Sequence, residues 1–144
     1  MEVIEALTRD QIIFCGSALL EFRQNLNRET YADQIWNMMK SGFRLIYIPN
    51  DNNSEAAAIA GFRIFEMLRT DTIIYIDDLF TAPSDRGKGY ASALLNYIDD
   101  IAEKSGIGTV HLDSGHTLHP AHRLYLSKGY VLAAHHFAKK ITGK

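Results

Sequence analysis

The sequence predicts an α/β chain built on a mixed β-sheet, and three features carry that expectation. Apolar β-type runs at 43–48, 56–67 and 73–81 follow one another with only short turns between them. A strand, a glycine loop and an amphipathic helix succeed one another between Ile73 and Lys104. Helical spacing fills the stretch between the first strand and Phe43. At 144 residues, the chain 1–144 is expected to form one domain that buries roughly two thirds of its unfolded surface.

Each element has its own local reason. Glu2 to Leu7 alternates as a strand, and Thr8-Arg9-Asp10-Gln11 is a capping box opening a helix with Ile12, Cys15, Leu19 and Phe22 at its apolar positions. Thr30 is the expected N-cap of a second helix, which carries Tyr31, Ile35, Met38 and Met39 and closes at Ser41-Gly42. Phe43 to Ile48 and Ala56 to Met67 flank the polar turn Pro49 to Ser54 as a hairpin. Ile73 to Thr81 is the central strand. In the helix after the glycine loop, Ala91, Leu94, Leu95, Ile98, Ile101 and Ala102 make one apolar face, and Gly106 ends it. Thr109 to Asp113 is a short strand, Pro120 suits the first turn of a last helix, Gly129 stops that helix, and Tyr130 to Ile141 supplies one or two final strands.

Composition narrows the function classes. Fifteen Lys and Arg against 17 Asp and Glu give a formal charge of -2, so no basic field argues for nucleic acid or an anionic membrane, and neither is expected as a partner. No apolar run approaches the roughly 20 residues of a membrane span. The start, Met1 to Glu5, has neither the basic nor the apolar part of a signal peptide. The single cysteine, Cys15, reads as a small buried hydrophobe. A cytoplasmic protein, monomer or homodimer, is expected.

The loop Arg86-Gly87-Lys88-Gly89-Tyr90-Ala91 reads as an anion cradle. Gly87 and Gly89 permit positive φ and close approach of the backbone to a ligand. The amides of the first helical turn lack intrahelical partners, and the positive end of the helix dipole lies beside Arg86 and Lys88. A P-loop is excluded, because Lys88 is followed by Gly89 and Tyr90 rather than Ser or Thr. A dinucleotide fingerprint is excluded too, because Ser92 stands where its third glycine belongs.

Arg86, Gly89 and Ala91 form Arg-x-x-Gly-x-Ala, preceded by Leu79-Phe80-Thr81-Ala82-Pro83. This resembles the pyrophosphate-binding motif of the GNAT superfamily of N-acetyltransferases. Downstream, Ala121-His122-Arg123-Leu124-Tyr125-Leu126-Ser127-Lys128-Gly129-Tyr130 resembles that family's Ala-x-x-Leu-Tyr-x-x-x-Gly-Phe element. The two motifs stand in the family's order. The resemblance is to small bacterial enzymes of the aminoalkylphosphonate and spermidine/spermine acetyltransferase type. It implies the GNAT fold, an α+β arrangement with a central, mostly antiparallel mixed sheet, helices on both faces and the order βααβββαβαββ. It also implies acetyl-CoA as cosubstrate, with the backbone of Leu79, Phe80 and Thr81 on the pantetheine. Arg86, Gly87, Lys88, Gly89, Tyr90, Ala91 and Ser92 would then hold the phosphates.

Acetyl transfer to an amine needs a neutral amine and a proton for the departing thiolate. A carboxylate inside an apolar strand must be paired, hydrogen-bonded or functional, which singles out Asp77. The resemblance to spermidine/spermine acetyltransferases implies that it is the base, directly or through water; bracing the sheet is the other reading. Alternation puts Tyr75, Asp77, Leu79 and Thr81 on one face and Asp78 on the other, where Asp78 anchors a neighbouring loop. Tyr125 matches the family tyrosine that gives the thiolate its proton; packing as a core aromatic is its alternative.

His116, His119 and His122 recur every third residue, which raises a metal site as a rival signal. The cluster has no cysteine nearby and no fixed helical face, and the resemblance accounts for His122 without one, so no metal is expected. Leu118 stands where many family members carry asparagine, so His119 or His116 is expected to replace that contact or to line the acceptor site. Tyr31, Tyr75, Asp113 and Ser114 are further acceptor-site candidates. Glu66, Asp71, Asp77 and Asp78 lean toward a cationic acceptor such as a polyamine or aminoglycoside. The expected function is acetylation of a small primary amine. A peptide or protein acceptor, or a non-catalytic acyl-CoA-binding regulatory module, stands as the alternative.

Overall fold

Apolar runs separated by short polar turns fold back on one another as neighbouring strands. In the computed structural model, which describes residues 1–143, β1 (Ile4–Glu5), β2 (Arg44–Pro49), β3 (Ala56–Met67), β4 (Asp71–Thr81) and β5 (Val110–Leu112) form one sheet in that spatial order. The first three pairings are antiparallel. The pairing of β4 with β5 is parallel, because the helix α4 (Tyr90–Ser105) carries the chain back between them. The mixed, mostly antiparallel sheet is the one expected. The chain divides into two units, Met1–Leu112 and the segment from Asp113 onward.

In the first unit, β3 is buried without interruption from Ala56 to Phe62, as a strand covered on both faces must be. One cover is α1 (Arg9–Phe14), α2 (Gly16–Phe22) and α3 (Tyr31–Lys40), whose Ile12, Leu19 and Ile35 cluster with Leu45, Tyr47 and Ile59. The helix α4 contributes Leu94, Leu95 and Ile98, all fully buried. At about 1.5–3 kcal/mol for each such side chain, these three contribute roughly 5–9 kcal/mol before the cost of ordering them. The Thr8 capping box forms as expected, and α3 and α4 end at Gly42 and Gly106 with positive φ, the Phe43 amide reaching Met38 and the Ile107 amide reaching Ala102.

Two expectations are corrected. The helix expected through Ile12, Cys15, Leu19 and Phe22 is two helices that meet at Cys15, whose amide still donates to the Gln11 carbonyl and whose carbonyl accepts from the Leu19 amide, with Gly16 opening the second. A Cβ at Gly16 would stand 2.2 Å from the Tyr31 hydroxyl, so the glycine admits the start of α3 at the cost of helix propensity. Cys15 is buried as expected, and burial pushes its thiol far above the ordinary range.

The second correction concerns the second unit, in which α5 (His119–Ser127) is followed by no strand among the described residues. In the segment expected to form the terminal strands, polar residues come as the pairs His135-His136 and Lys139-Lys140, which breaks period-two alternation, and Val131, Leu132, Phe137 and Ile141 are exposed. The observed order is therefore βαααβββαβα.

Candidate active site

The cofactor loop is built as its glycines require. A 3-10 turn at Pro83–Asp85 leads to Gly87 at φ 79° and Gly89 at φ 85°, the latter capping α4 from the left-handed region. A Cβ at either glycine would meet nothing within 4 Å, so the space above the loop is open. No side chain caps α4, and its first bond runs from the Ala93 amide to the Gly89 carbonyl at 3.0 Å. The amides of Tyr90, Ala91 and Ser92 thus precede any i to i−4 partner, and the buried Tyr90 ring fixes the turn that carries them. Arg86 bonds the Thr81 carbonyl at 3.1 Å, and Lys88 pairs with Asp85 at 3.2 Å. These groups fit an anionic pyrophosphate.

Ahead of the loop, β4 is open along one edge. Its pairing with β5 covers only Ile74, Tyr75 and Ile76, and among the described residues no strand continues that side from Asp77 to Thr81. On the other side the ladder with β3 slips. Gly61 faces Asp78 and Phe62 faces Ile76, which leaves Asp77 as the extra residue of a bulge. Strict alternation of Tyr75, Asp77, Leu79 and Thr81 on one face therefore does not hold across Asp77. Gly61 makes room for the arrangement: a Cβ there would lie 2.4 Å from Phe43 and 2.7 Å from Asp78 Oδ2. Gly61→Ala is expected to destabilise the fold by about 1–3 kcal/mol through overpacking, read as a lowered Tm by thermal melting; an unchanged Tm would show that the bulge tolerates a side chain.

Each carboxylate of the bulge has its own guanidinium. Asp77 accepts from Arg63 through both oxygens, at 2.8 and 2.7 Å. Asp78 accepts from Arg23 at 2.8 Å, and so anchors the segment after α2 as expected. Burial raises the Asp78 carboxyl above its ordinary range, and the bond and charge of Arg23 oppose that rise. With both charges balanced, Asp77 and Asp78 no longer argue for a cationic acceptor.

Of the acceptor candidates in the first unit, Tyr75 lies beneath the Arg63 guanidinium at 5.5 Å. Tyr31 lines a cavity of about 770 Å³ together with Phe14, Gly16, Glu21 and Arg28. Tyr75 is not among the residues lining that cavity.

In the second unit, α5 ends in paired bonds from Gly129 to the Leu126 carbonyl and from Tyr130 to the Tyr125 carbonyl, with Gly129 at φ 92°. That cap fixes Tyr125, whose ring meets the Tyr130 ring edge-on at 5.8 Å. Burial pushes its phenol above the ordinary value near 10. Asp113 accepts from His136 at 2.9 Å, the Ser114 hydroxyl is buried without a partner among the described residues, and His119 packs edge-on against His122. His122 spends its Nε2 on the Gly115 carbonyl at 2.8 Å. Among the described residues no side-chain hydrogen bond or ion pair is made by His116. Among the described residues no group of three or more His, Cys, Asp or Glu could hold a metal ion, and no helix is long and apolar enough to cross a membrane.

An open strand edge running into a glycine cradle is the layout of an acyltransferase that takes a coenzyme A thioester. The Acetyltransferase (GNAT) family matches residues 14–130, a span containing both motifs, and the chain belongs to that family, whose members use acetyl-CoA as cosubstrate. It is similar to an uncharacterized N-acetyltransferase of Bacillus subtilis strain 168, YhdJ, at 30% identity over 122 residues, 84% of this chain and 85% of that one. The ribosomal-protein-alanine N-acetyltransferase of Brucella melitensis biovar Abortus 2308 shares the fold with a TM-score of 0.81 at 17% identity, over 98% of this chain and 100% of the other. So does an aminoglycoside antibiotic 6'-N-acetyltransferase of Acinetobacter haemolyticus, with a TM-score of 0.77 at 15% identity over 99% and 100% of the two chains.

Three residues of the site escaped sequence reading. Gly61 carried a signal, since a glycine inside a strand marks a bulge or a close approach. Arg63 and Arg23 carried none, because their partners lie 14 and 55 residues along the chain.

Proposed function

We propose that this acyltransferase moves the acetyl group of acetyl-CoA to the primary amine of a small cytoplasmic molecule by direct attack, with residues 1–144 acting as one catalytic domain. The observation that carries the reading is the open edge of β4 continuing into the uncapped cradle at Arg86 to Ser92. The span of the family match across residues 14–130 supports one domain.

Acetyl-CoA supplies an activated thioester, and the chain supplies binding and proton transfer. Backbone groups of Leu79, Phe80 and Thr81 pair with the pantetheine as an added strand would. The amides from Gly87 to Ser92 hold the phosphates, with Arg86 and Lys88 beside them. Tyr125 is the general acid for the leaving thiolate. Asp77 takes the amine proton through water: Arg63 orients the carboxylate through two of its lone pairs and leaves the others to accept.

Asp77→Asn is expected to lower kcat about tenfold at neutral pH, with the deficit shrinking as pH rises and the free amine becomes abundant. A deficit constant with pH and accompanied by a lowered Tm would make Asp77 a brace only.

The function is tested by coenzyme A thiol release from acetyl-CoA, with separate pools of polyamines, aminoglycosides, aminoalkylphosphonates, amino acids and peptides. Release above the blank in one small-molecule pool supports the reading and names the acceptor class. Release with peptides only, or with no pool despite intact acetyl-CoA binding, overturns the small-molecule assignment.

A further inference from the structure

Arg23 stands just past α2 and reaches the β4 bulge with two arms of its fork. Its Nε donates to Asp78 Oδ1 and its Nη2 to the Asp77 carbonyl, each at 2.8 Å. Asp77 is the residue without a partner in β3, so its carbonyl sits where the ladder is interrupted, and a backbone acceptor there needs a donor from elsewhere. The guanidinium lies 4.0 Å from the Phe22 ring centre, and Phe22 stacks on Phe80 at 5.0 Å and 23°. Phe80 in turn meets the Arg86 guanidinium at 5.7 Å, and Arg86 bonds the Thr81 carbonyl. One line of contacts therefore runs from the bulge to the cradle along the stretch of β4 that β5 leaves open.

We propose that Arg23 is a positioning residue for acetyl transfer, its guanidinium fixing the shape of the β4 bulge and with it the backbone from Asp77 to Leu79 that holds the acyl carrier. The inference rests on the reading of that edge as the acetyl-CoA strand. Lysine does not substitute, because a single ammonium on a flexible stem cannot hold the carboxylate and the carbonyl in one plane. The charged groups facing Asp78 are Arg23 at the end of α2, Arg63 on β3 and Asp77 beside it. Removing Arg23 leaves a buried carboxylate with less positive charge against it. Asp78 then protonates at higher pH than in the parent.

The test compares Arg23→Gln and Arg23→Lys with the parent in the full chain. A misplaced backbone is expected to cost Arg23→Gln about 10- to 100-fold in kcat while KM for acetyl-CoA stays within about twofold. The acid limb of kcat moves to higher pH in Arg23→Gln, and Arg23→Lys restores the limb but not kcat. Amide hydrogen exchange at Asp77 to Leu79 speeds up about tenfold or more in Arg23→Gln, while Ile73 to Ile76 keep their protection.

Parent-like kcat and exchange in a folded Arg23→Gln overturn the proposal. So does faster exchange spread evenly over β4 with a kcat loss equal to the unfolded fraction, which makes Arg23 a stabilising contact only. The exchange measurement needs no acceptor: a local effect at the bulge in a chain silent with every amine upholds the bulge-fixing role and overturns the proposed acceptor class instead.

Discussion

Tyr125→Phe is expected to lower kcat about 10²- to 10⁴-fold, the range for loss of a positioned general acid, with KM for acetyl-CoA within about twofold. The substitution removes one oxygen and keeps the ring, so the edge-on contact with Tyr130 and the Gly129 cap of α5 survive. Folding is therefore a poor explanation for any loss, and an unchanged Tm checks it. Burial raises the Tyr125 phenol above its ordinary value near 10, so the neutral, proton-carrying form persists to higher pH than it would on an exposed tyrosine. A thiolate leaving group with a pKa near 8.5 is a weaker base than the phenolate left behind, so the transfer runs slightly uphill and the proton returns readily from solvent. The sign follows: as pH rises past the raised phenol value the acid is lost, and kcat of the parent falls on that basic limb. In Tyr125→Phe the limb disappears with the rate. A variant turning over like the parent would reduce Tyr125 to the packed aromatic that a helical tyrosine more commonly is.

The fold and the cradle were legible for the same reason that the pairing around Asp77 was not. Gly87 and Gly89 answer a local demand, since positive φ in a turn before a helix can be read from the residues occupying the turn. The capping box at Thr8 and the glycine stops at Gly42, Gly106 and Gly129 are local in the same way. Which face Asp77 occupies is a pairing question. Alternation predicts it only while the ladder is regular, and the slip at Gly61 resets the count. Arg23 and Arg63 convert two carboxylates, which invite a cationic substrate when read along the chain, into two balanced ion pairs. The broken helix at Cys15 has a similar origin: Gly16 is where Tyr31 arrives, and a helical period carries no record of which distant side chain needs the space. The one or two final strands expected over Tyr130 to Ile141 do not form among the described residues, and the paired histidines and lysines of that segment give no continuous apolar face.

Gly89→Val is expected to weaken acetyl-CoA binding about 100-fold or more while the chain stays folded. Gly89 sits at φ 85°, where a β-branched residue is strained by about 1–2 kcal/mol, a cost the domain carries as a modest fall in Tm. Nothing lies within 4 Å of the position its Cβ would take, so valine meets no protein atom and instead fills the open space over the amides of Tyr90, Ala91 and Ser92. Losing two charge-assisted bonds from those amides to phosphate oxygens, at about 1.5 kcal/mol each, accounts for a factor of roughly 100. Gly89→Ala separates strain from bulk. It carries the same φ penalty with a single methyl, so a binding loss from strain would be shared by both variants, whereas a loss from occupied space is much larger for valine. Isothermal titration with acetyl-CoA beside thermal melting decides the matter. Parent-like affinity in a folded Gly89→Val would remove the phosphates from this loop, and an equal loss in both variants would assign the effect to the backbone conformation of the cap rather than to the space above it.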